Sequence, residues 1–368
     1  MDRKIVFFMC FIVLFLVIPG CKWFGAKSKR ETIFDKKINI PKQLVLDIPK
    51  LPPLCDEIPG LKKGYVDVKG GRLYYEEEGK GIPLVLINGG PGGTHHSFHP
   101  YFSQLKDVAR IIYYDQRGTG KKSSKDHTGK MYTVQQAVED VEDLRKALKI
   151  DKWIVLGHSY GGFLAQCYAL TYPQHCLGLI LVNTMTGQTT MNSNRTQMFI
   201  SPSERSAIDT IRQKALTPVQ SMYNQYLWGD WKRQGNYYKP TKKEIIRQAI
   251  YGWDPAPGFR ELMFPEAIKI DLRGKFYNFE IPTLIVEGKW DLFWDITDKV
   301  VFLRKNHPHA QILVFEKSGH YAFKDEQEKF CNLLKVFLKK VSKTNIVYKL
   351  GNRLIWPKPR PILLRLFA

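Results

Sequence analysis

Cysteine is scarce in this chain, with six among 368 residues, which excludes a disulfide-built scaffold. Cys10 and Cys21 fall in the N-terminal segment. Cys55, Cys167, Cys176 and Cys331 have a spacing that fits no zinc motif, and nothing selects a pair for a disulfide. Acid is the second shortage: 35 Asp and Glu stand against 56 Lys and Arg, a net charge of +21. From Cys331 to the C-terminus there are nine Lys or Arg and no acid. No nucleic-acid recognition motif accompanies that charge, so nucleic acid is not expected as a partner. The excess concerns partners and solubility rather than fold. Core formers are not in short supply. A hydrophobic fraction of 44% with 13% aromatics excludes disorder of the whole chain.

The apolar run Ile5–Ile18 follows Arg3 and Lys4 and ends in Pro19-Gly20-Cys21. It is short for a membrane span and has the length of a signal-peptide core. Residues 1–20 are expected to be a lipoprotein-type signal peptide, with Cys21 as the lipidated residue; an uncleaved signal anchor is the other reading. Both place the rest of the chain outside the cytoplasm, as a membrane-anchored lipoprotein of the cell envelope, with a signal-anchored or secreted protein as the alternative. Residues 21–60 are polar, Lys-rich and Pro-punctuated, as in a tether and an arm. Residues 343–368 form a basic, apolar tail carrying Leu350, Leu354, Ile355, Trp356 and Phe367. That tail suits an anionic membrane surface, or a strap packed on the domain.

Between these ends, short apolar runs alternate with helical periodicity. Tyr65–Val68 and Arg72–Glu77 flank Gly70-Gly71, a hairpin signal. Pro83–Asn88, Ala109–Tyr114, Trp153–Leu156, Leu179–Val182, Thr283–Val286 and Gln311–Phe315 have the character of buried strands. Thr133–Leu148, Phe163–Tyr172 and Glu326–Val341 have helical spacing. The pattern predicts an α/β fold with a mostly parallel central sheet covered by helices on both faces. Residues 61–184 and 276–342 would form this core. Residues 185–275 are too long for a loop and are expected to be an inserted helical cap, with a separate domain as the alternative. The sequon Asn194-Arg195-Thr196 is taken as chance.

Gly157-His158-Ser159-Tyr160-Gly161 fits G-x-S-x-G directly between a strand and a helix. Small neighbours permit the sharp turn that lifts a serine hydroxyl out of a sheet, so Ser159 is the candidate nucleophile. A serine needs a base held by an acid. Asp291 follows the strand Thr283–Val286, and His320 follows Gln311–Phe315, both at C-terminal strand ends. Asp295 is a rival acid, expected instead to begin a helix. His307 and His309 lie at the wrong end of a strand and are expected on the surface. His158 is expected to pack. Asn88-Gly89-Gly90-Pro91-Gly92-Gly93 offers backbone N–H groups to an oxyanion, and Gly90 and Tyr160 are the expected donors.

Gly89-Gly90-Pro91-Gly92, Asp115-Gln116-Arg117-Gly118-Thr119-Gly120 and the Ser159 elbow together resemble proline iminopeptidases of the α/β-hydrolase superfamily, over about Gly64 to Val341. Asn88 stands where that family has His, and Lys122 where it has Ser, with Ser123 one place late. Asp115 and Arg117 are expected to tie the loop beneath the site. The resemblance implies a Ser-His-Asp hydrolase working through an acyl-enzyme, with no metal or organic cofactor. It implies small-molecule or short-peptide substrates and release of N-terminal proline or small residues. It also implies cap glutamates for the substrate's ammonium; Glu261 and Glu266 are the candidates. A carboxylesterase or lipase-like hydrolase is the alternative, and a non-catalytic envelope binding protein a remote one.

Overall fold

The computed structural model describes residues 44–126, 128–187, 202–227 and 235–350. The signal segment with Cys10 and Cys21, the sequon, Trp228, Trp231 and the end of the tail lie outside these residues.

Eight strands form one sheet in the order β1-β2-β4-β3-β5-β6-β7-β8. They are β1 Lys62–Val68, β2 Gly71–Glu78, β3 Ile82–Ile87, β4 Ala109–Tyr114, β5 Trp153–His158, β6 Cys176–Val182, β7 Thr283–Gly288 and β8 Gln311–Phe315. The first hairpin is antiparallel and joins β4 antiparallel; every other pairing is parallel. Buried on both faces, the central strands are uninterrupted apolar runs such as Leu84–Ile87 and Leu179–Val182, all 0% exposed. One side of the sheet packs on α1 (Val134–Ala147) and α2 (Tyr160–Thr171). Thr133 caps α1 by accepting from the Gln136 N–H.

Between β6 and β7 the chain leaves the sheet and builds helices. These are α3 (Pro202–Lys214), α4 (Pro218–Leu227), α5 (Lys242–Tyr251) and α6 (Phe259–Lys269). A capping box at Thr241 and Glu244 starts α5. The arm docks on this insertion: Val45, Ile48 and Leu51 pack against Tyr223, Ile245 and Ile246. Asn224 fastens the arm by bonding both the N–H and the carbonyl of Val45. The chain then returns through α7 (Ile296–Asn306), a short α8 (Ala322–Asp325) and α9 (Gln327–Leu350). Phe330, Leu334 and Leu338 of α9 cover the other side of the sheet.

Three expectations need correction. Helix α2 begins at Tyr160, not Phe163, because Gly161 and Gly162 are helical. The last helix runs on to Leu350, past the boundary at 342. His307 is buried, 4% exposed, with its ring 4.3 Å from that of Phe276, whereas His309 is exposed as expected. The described cysteines are free and buried. No helix among the described residues is long and apolar enough to cross a membrane.

Candidate active site

The turn between β5 and α2 puts Ser159 at φ 56° and ψ −122°, a strained conformation for a residue with a side chain. Packing enforces it. A Cβ on Gly157 would lie 2.2 Å from the Gly161 carbonyl oxygen, and one on Gly161 would lie 2.1 Å from the Ile87 oxygen. Only glycine lets the elbow seat against β3. Ser159 is half-buried, and its N–H donates to the Val182 carbonyl (3.0 Å), fixing the elbow to the end of β6.

The two expected partners meet. His320 Nδ1 lies 2.8 Å from Asp291 Oδ2. Asp291 is 2% exposed and His320 7%. The same Oδ2 accepts from Asn183 Nδ2 (2.9 Å), and Oδ1 accepts from the Phe293 N–H (3.0 Å). Burial alone would raise the Asp291 pKa; the adjacent His320, followed by Lys299 and the Phe293 N–H, outweighs it and holds the carboxyl down to about 2. Asn183 also donates to the Gly319 carbonyl (3.0 Å), joining the Asp291 loop to the His320 loop. The Phe293 ring lies 4.5 Å from the His320 ring. His158 packs, as expected, and its Nε2 bonds the His320 carbonyl at 2.7 Å. Asp295 starts α7 by accepting from the Thr297 N–H, a capping role.

Beside Asp291, Glu287 Oε2 and Lys299 Nζ form a buried pair at 3.5 Å. Lys299 also donates to the Thr184 carbonyl, and Glu287 accepts from the Thr184 N–H at 3.2 Å. Burial, opposed by Lys299 and reinforced by Asp291, pushes the Glu287 carboxyl up to about 7.

The glycine loop crosses next to the serine, where a Cβ on Gly89 would lie 3.0 Å from Ser159 Cβ. Gly90 has φ 134°, a conformation that favours glycine. Tyr160 is the first residue of α2, so its N–H has no partner within the helix. Asn88, fully buried, donates from Nδ2 to the Gly93 carbonyl, and its own carbonyl accepts from Gln116 Nε2 (2.8 Å). Asn88 thus braces the loop.

Asp115 accepts from the His95 N–H (2.9 Å) and sits 2.7 Å from His95 Nδ1, while Arg117 grips Asp140 with two bonds of 2.9 and 2.7 Å. Ser123 donates to the Asp115 carbonyl and accepts from the Tyr74 N–H. The displaced serine therefore still ties this loop down. Residues 252–256 of the insertion are stitched to both motif loops. Thr94 N–H donates to Gly252, Asp254 N–H to Gly92, Gly120 N–H to Asp254 and Ala256 N–H to Gly118.

The two cap glutamates have different settings. Glu261 is exposed on α6. Glu266 is half-buried, and its Oε2 accepts from the Val134 N–H at 3.0 Å, at the start of α1. Burial raises its pKa against the opposing Val134 bond and Lys269.

A family profile described as the alpha/beta hydrolase fold matches residues 82–327, more than half of the chain. The chain belongs to the α/β-hydrolase family. Within it, the chain is 30% identical over 302 residues to a proline iminopeptidase of Saccharolobus solfataricus, covering 78% of this chain and 95% of that protein. It is also 25% identical over 299 residues to a cis-3-alkyl-4-alkyloxetan-2-one decarboxylase of Shewanella oneidensis, covering 77% and 91%. Among solved structures it resembles a bacterial membrane phospholipase A, with a TM-score of 0.60 at 22% identity over 77% of this chain and 87% of that one. At that identity the likeness concerns the fold alone. These relatives make the chain a proline iminopeptidase-like α/β hydrolase.

Sequence reasoning missed Asn183, the Glu287–Lys299 pair and His95. Asn183 alone had a signal, as a polar residue at the very end of a buried strand.

Proposed function

We propose that this hydrolase is a serine aminopeptidase that releases N-terminal proline or small residues from short peptides through an acyl-enzyme. The Asp291–His320 bond of 2.8 Å beside the strained Ser159 elbow carries the reading. In this scheme Ser159 Oγ attacks the scissile carbonyl and passes its proton to His320 Nε2. Asp291 keeps the Nδ1 proton in place and stabilises the imidazolium. The N–H groups of Gly90 and Tyr160 receive the oxyanion, each contributing about 3–4 kcal/mol to the transition state. His320 then protonates the leaving amine, and water repeats the sequence on the acyl-serine. Every proton is carried by His320, so the scheme calls for no cofactor.

A substrate ammonium leaving water needs a carboxylate. Glu266 is the better of the two candidates, being half-buried where Glu261 is exposed. Glu266→Gln keeps an acceptor for the Val134 N–H and removes only the charge. It should lower kcat/KM on proline nitroanilide about 10- to 100-fold, the scale of a hydrogen bond to a charged group. Hydrolysis of an uncharged nitrophenyl ester should change little. N-acetylation of the proline substrate should reproduce the loss in the unaltered enzyme. Equal cleavage of acetylated and free substrates would remove the aminopeptidase reading and leave ester hydrolysis in its place.

A further inference from the structure

Beneath the oxyanion loop lies a buried cluster that the proposed reaction does not use. Cys55 comes from the arm, Glu76 from β2, and His95 and His96 from the 3-10 turn His95–Phe98. Cys55, Glu76 and His95 are 2%, 0% and 1% exposed. One donor atom each from Cys55, His95 and His96 lie within 4.8 Å of one another. Glu76 Oε1 is 3.2 Å from His95 Nε2.

We infer that this cluster binds one divalent ion of the zinc class, held by three protein ligands, Cys55 Sγ and one imidazole nitrogen each of His95 and His96. The donor chemistry suits such an ion: one thiol and two imidazoles. The spacing suits it as well. A tetrahedral ion with bonds of about 2.0–2.3 Å separates its donors by roughly 3.3–3.7 Å, so the Cys55, His95 and His96 donors, within 4.8 Å of one another, need to close in by at most about 1.5 Å. The two imidazole nitrogens are available, because both Nε2 atoms are buried without an aligned hydrogen-bond partner.

The surroundings hold these side chains in a ligating pose. Asp115 Oδ1, 2.7 Å from His95 Nδ1, accepts the Nδ1–H hydrogen bond and leaves the Nε2 lone pair for the metal, the carboxylate–histidine–metal arrangement. Thr94 Oγ1 is 3.3 Å from His96 Nδ1 and orients the second ring in the same way. Glu76 is steadied by the Tyr74 hydroxyl (2.7 Å) and by His99 Nε2 (3.0 Å). The ion would pin the arm, through Cys55, to the turn that follows the oxyanion loop.

The test uses the purified chain, treated with chelator, incubated with excess zinc and desalted, with metal measured by mass spectrometry. About one equivalent of zinc should remain, and the melting temperature should rise on zinc addition. Cys55→Ser and His96→Gln should each lower the affinity about 10-fold or more with the far-ultraviolet circular dichroism spectrum unchanged. Should either variant fail to fold, cobalt in the unaltered chain supplies the reading: a thiolate-to-cobalt charge-transfer band with tetrahedral visible absorption supports the site. A folded chain that retains no zinc, or zinc retained equally by both folded variants, overturns the proposal. So does cobalt bound without the thiolate band.

Discussion

Asp291→Asn tests the geometry of the acid. The carboxylate accepts three bonds: Oδ2 from His320 at 2.8 Å and Asn183 at 2.9 Å, and Oδ1 from the Phe293 N–H at 3.0 Å. An amide has one acceptor oxygen, so one of these positions must hold an NH2. If that NH2 faces Phe293, two donors confront each other. If it faces His320, the imidazole must turn its Nδ1 lone pair towards it. The proton then sits on Nε2, and the base for Ser159 is gone. Loss of the correct tautomer lowers kcat by about 10⁴ in a chymotrypsin-type triad, equivalent to about 5 kcal/mol. The same loss is expected here. The assay is turnover of proline nitroanilide, with thermal melting as the control for folding. Activity within 10-fold of the parent, in a folded variant, would refute the assignment of Asp291, and equal damage from Asp295→Asn would transfer the role.

Four further outcomes follow. With Asp291 held at about 2, against an ordinary 3.8, the folded state binds fewer protons than the unfolded chain between those values. Its contribution, about 2 kcal/mol, is present above pH 4 and lost as pH falls through 2, so acid melting of Asp291→Asn should show a smaller drop over that range than the parent. Gly161→Ala places a Cβ 2.1 Å from the Ile87 oxygen and should destabilise the chain by several kcal/mol or abolish soluble expression, read by chemical denaturation. Gly92→Ala introduces a Cβ 3.0 Å from the Trp253 ring at φ 117°; it should disturb the cap stitching and raise KM in steady-state assays. On the N-terminal sequence alone, mass spectrometry of the mature chain should find lipid on Cys21, and a chain beginning at unmodified Met1 would leave the signal-anchor reading.

The three residues proposed as a triad stand out in the sequence because each has a local signature. Ser159 sits between a strand and a helix with glycines on either side, and Asp291 and His320 each follow an apolar strand by a few residues. What supports them was hidden by chain distance. Asn183 lies 108 residues from Asp291, to which it donates, and Glu76 on β2 pairs with His95 in the turn after β3. No periodicity reports such pairings. The start of α2 was misplaced because glycine pairs suggest a loop, whereas Gly161 and Gly162 are required by contacts to Ile87 and Thr184. His307 was assigned to the surface from its place ahead of a strand, yet its ring packs on Phe276 of the returning chain.

Covalent labelling is the most direct test of the central claim, that Ser159 is a nucleophile activated by His320. The intact enzyme should take up one fluorophosphonate per chain, with the adduct located by peptide mass spectrometry on Ser159. Both Ser159→Ala and His320→Ala should lose the label and keep their melting temperatures. A label found on another serine, or undiminished labelling and turnover in Ser159→Ala, would contradict the account.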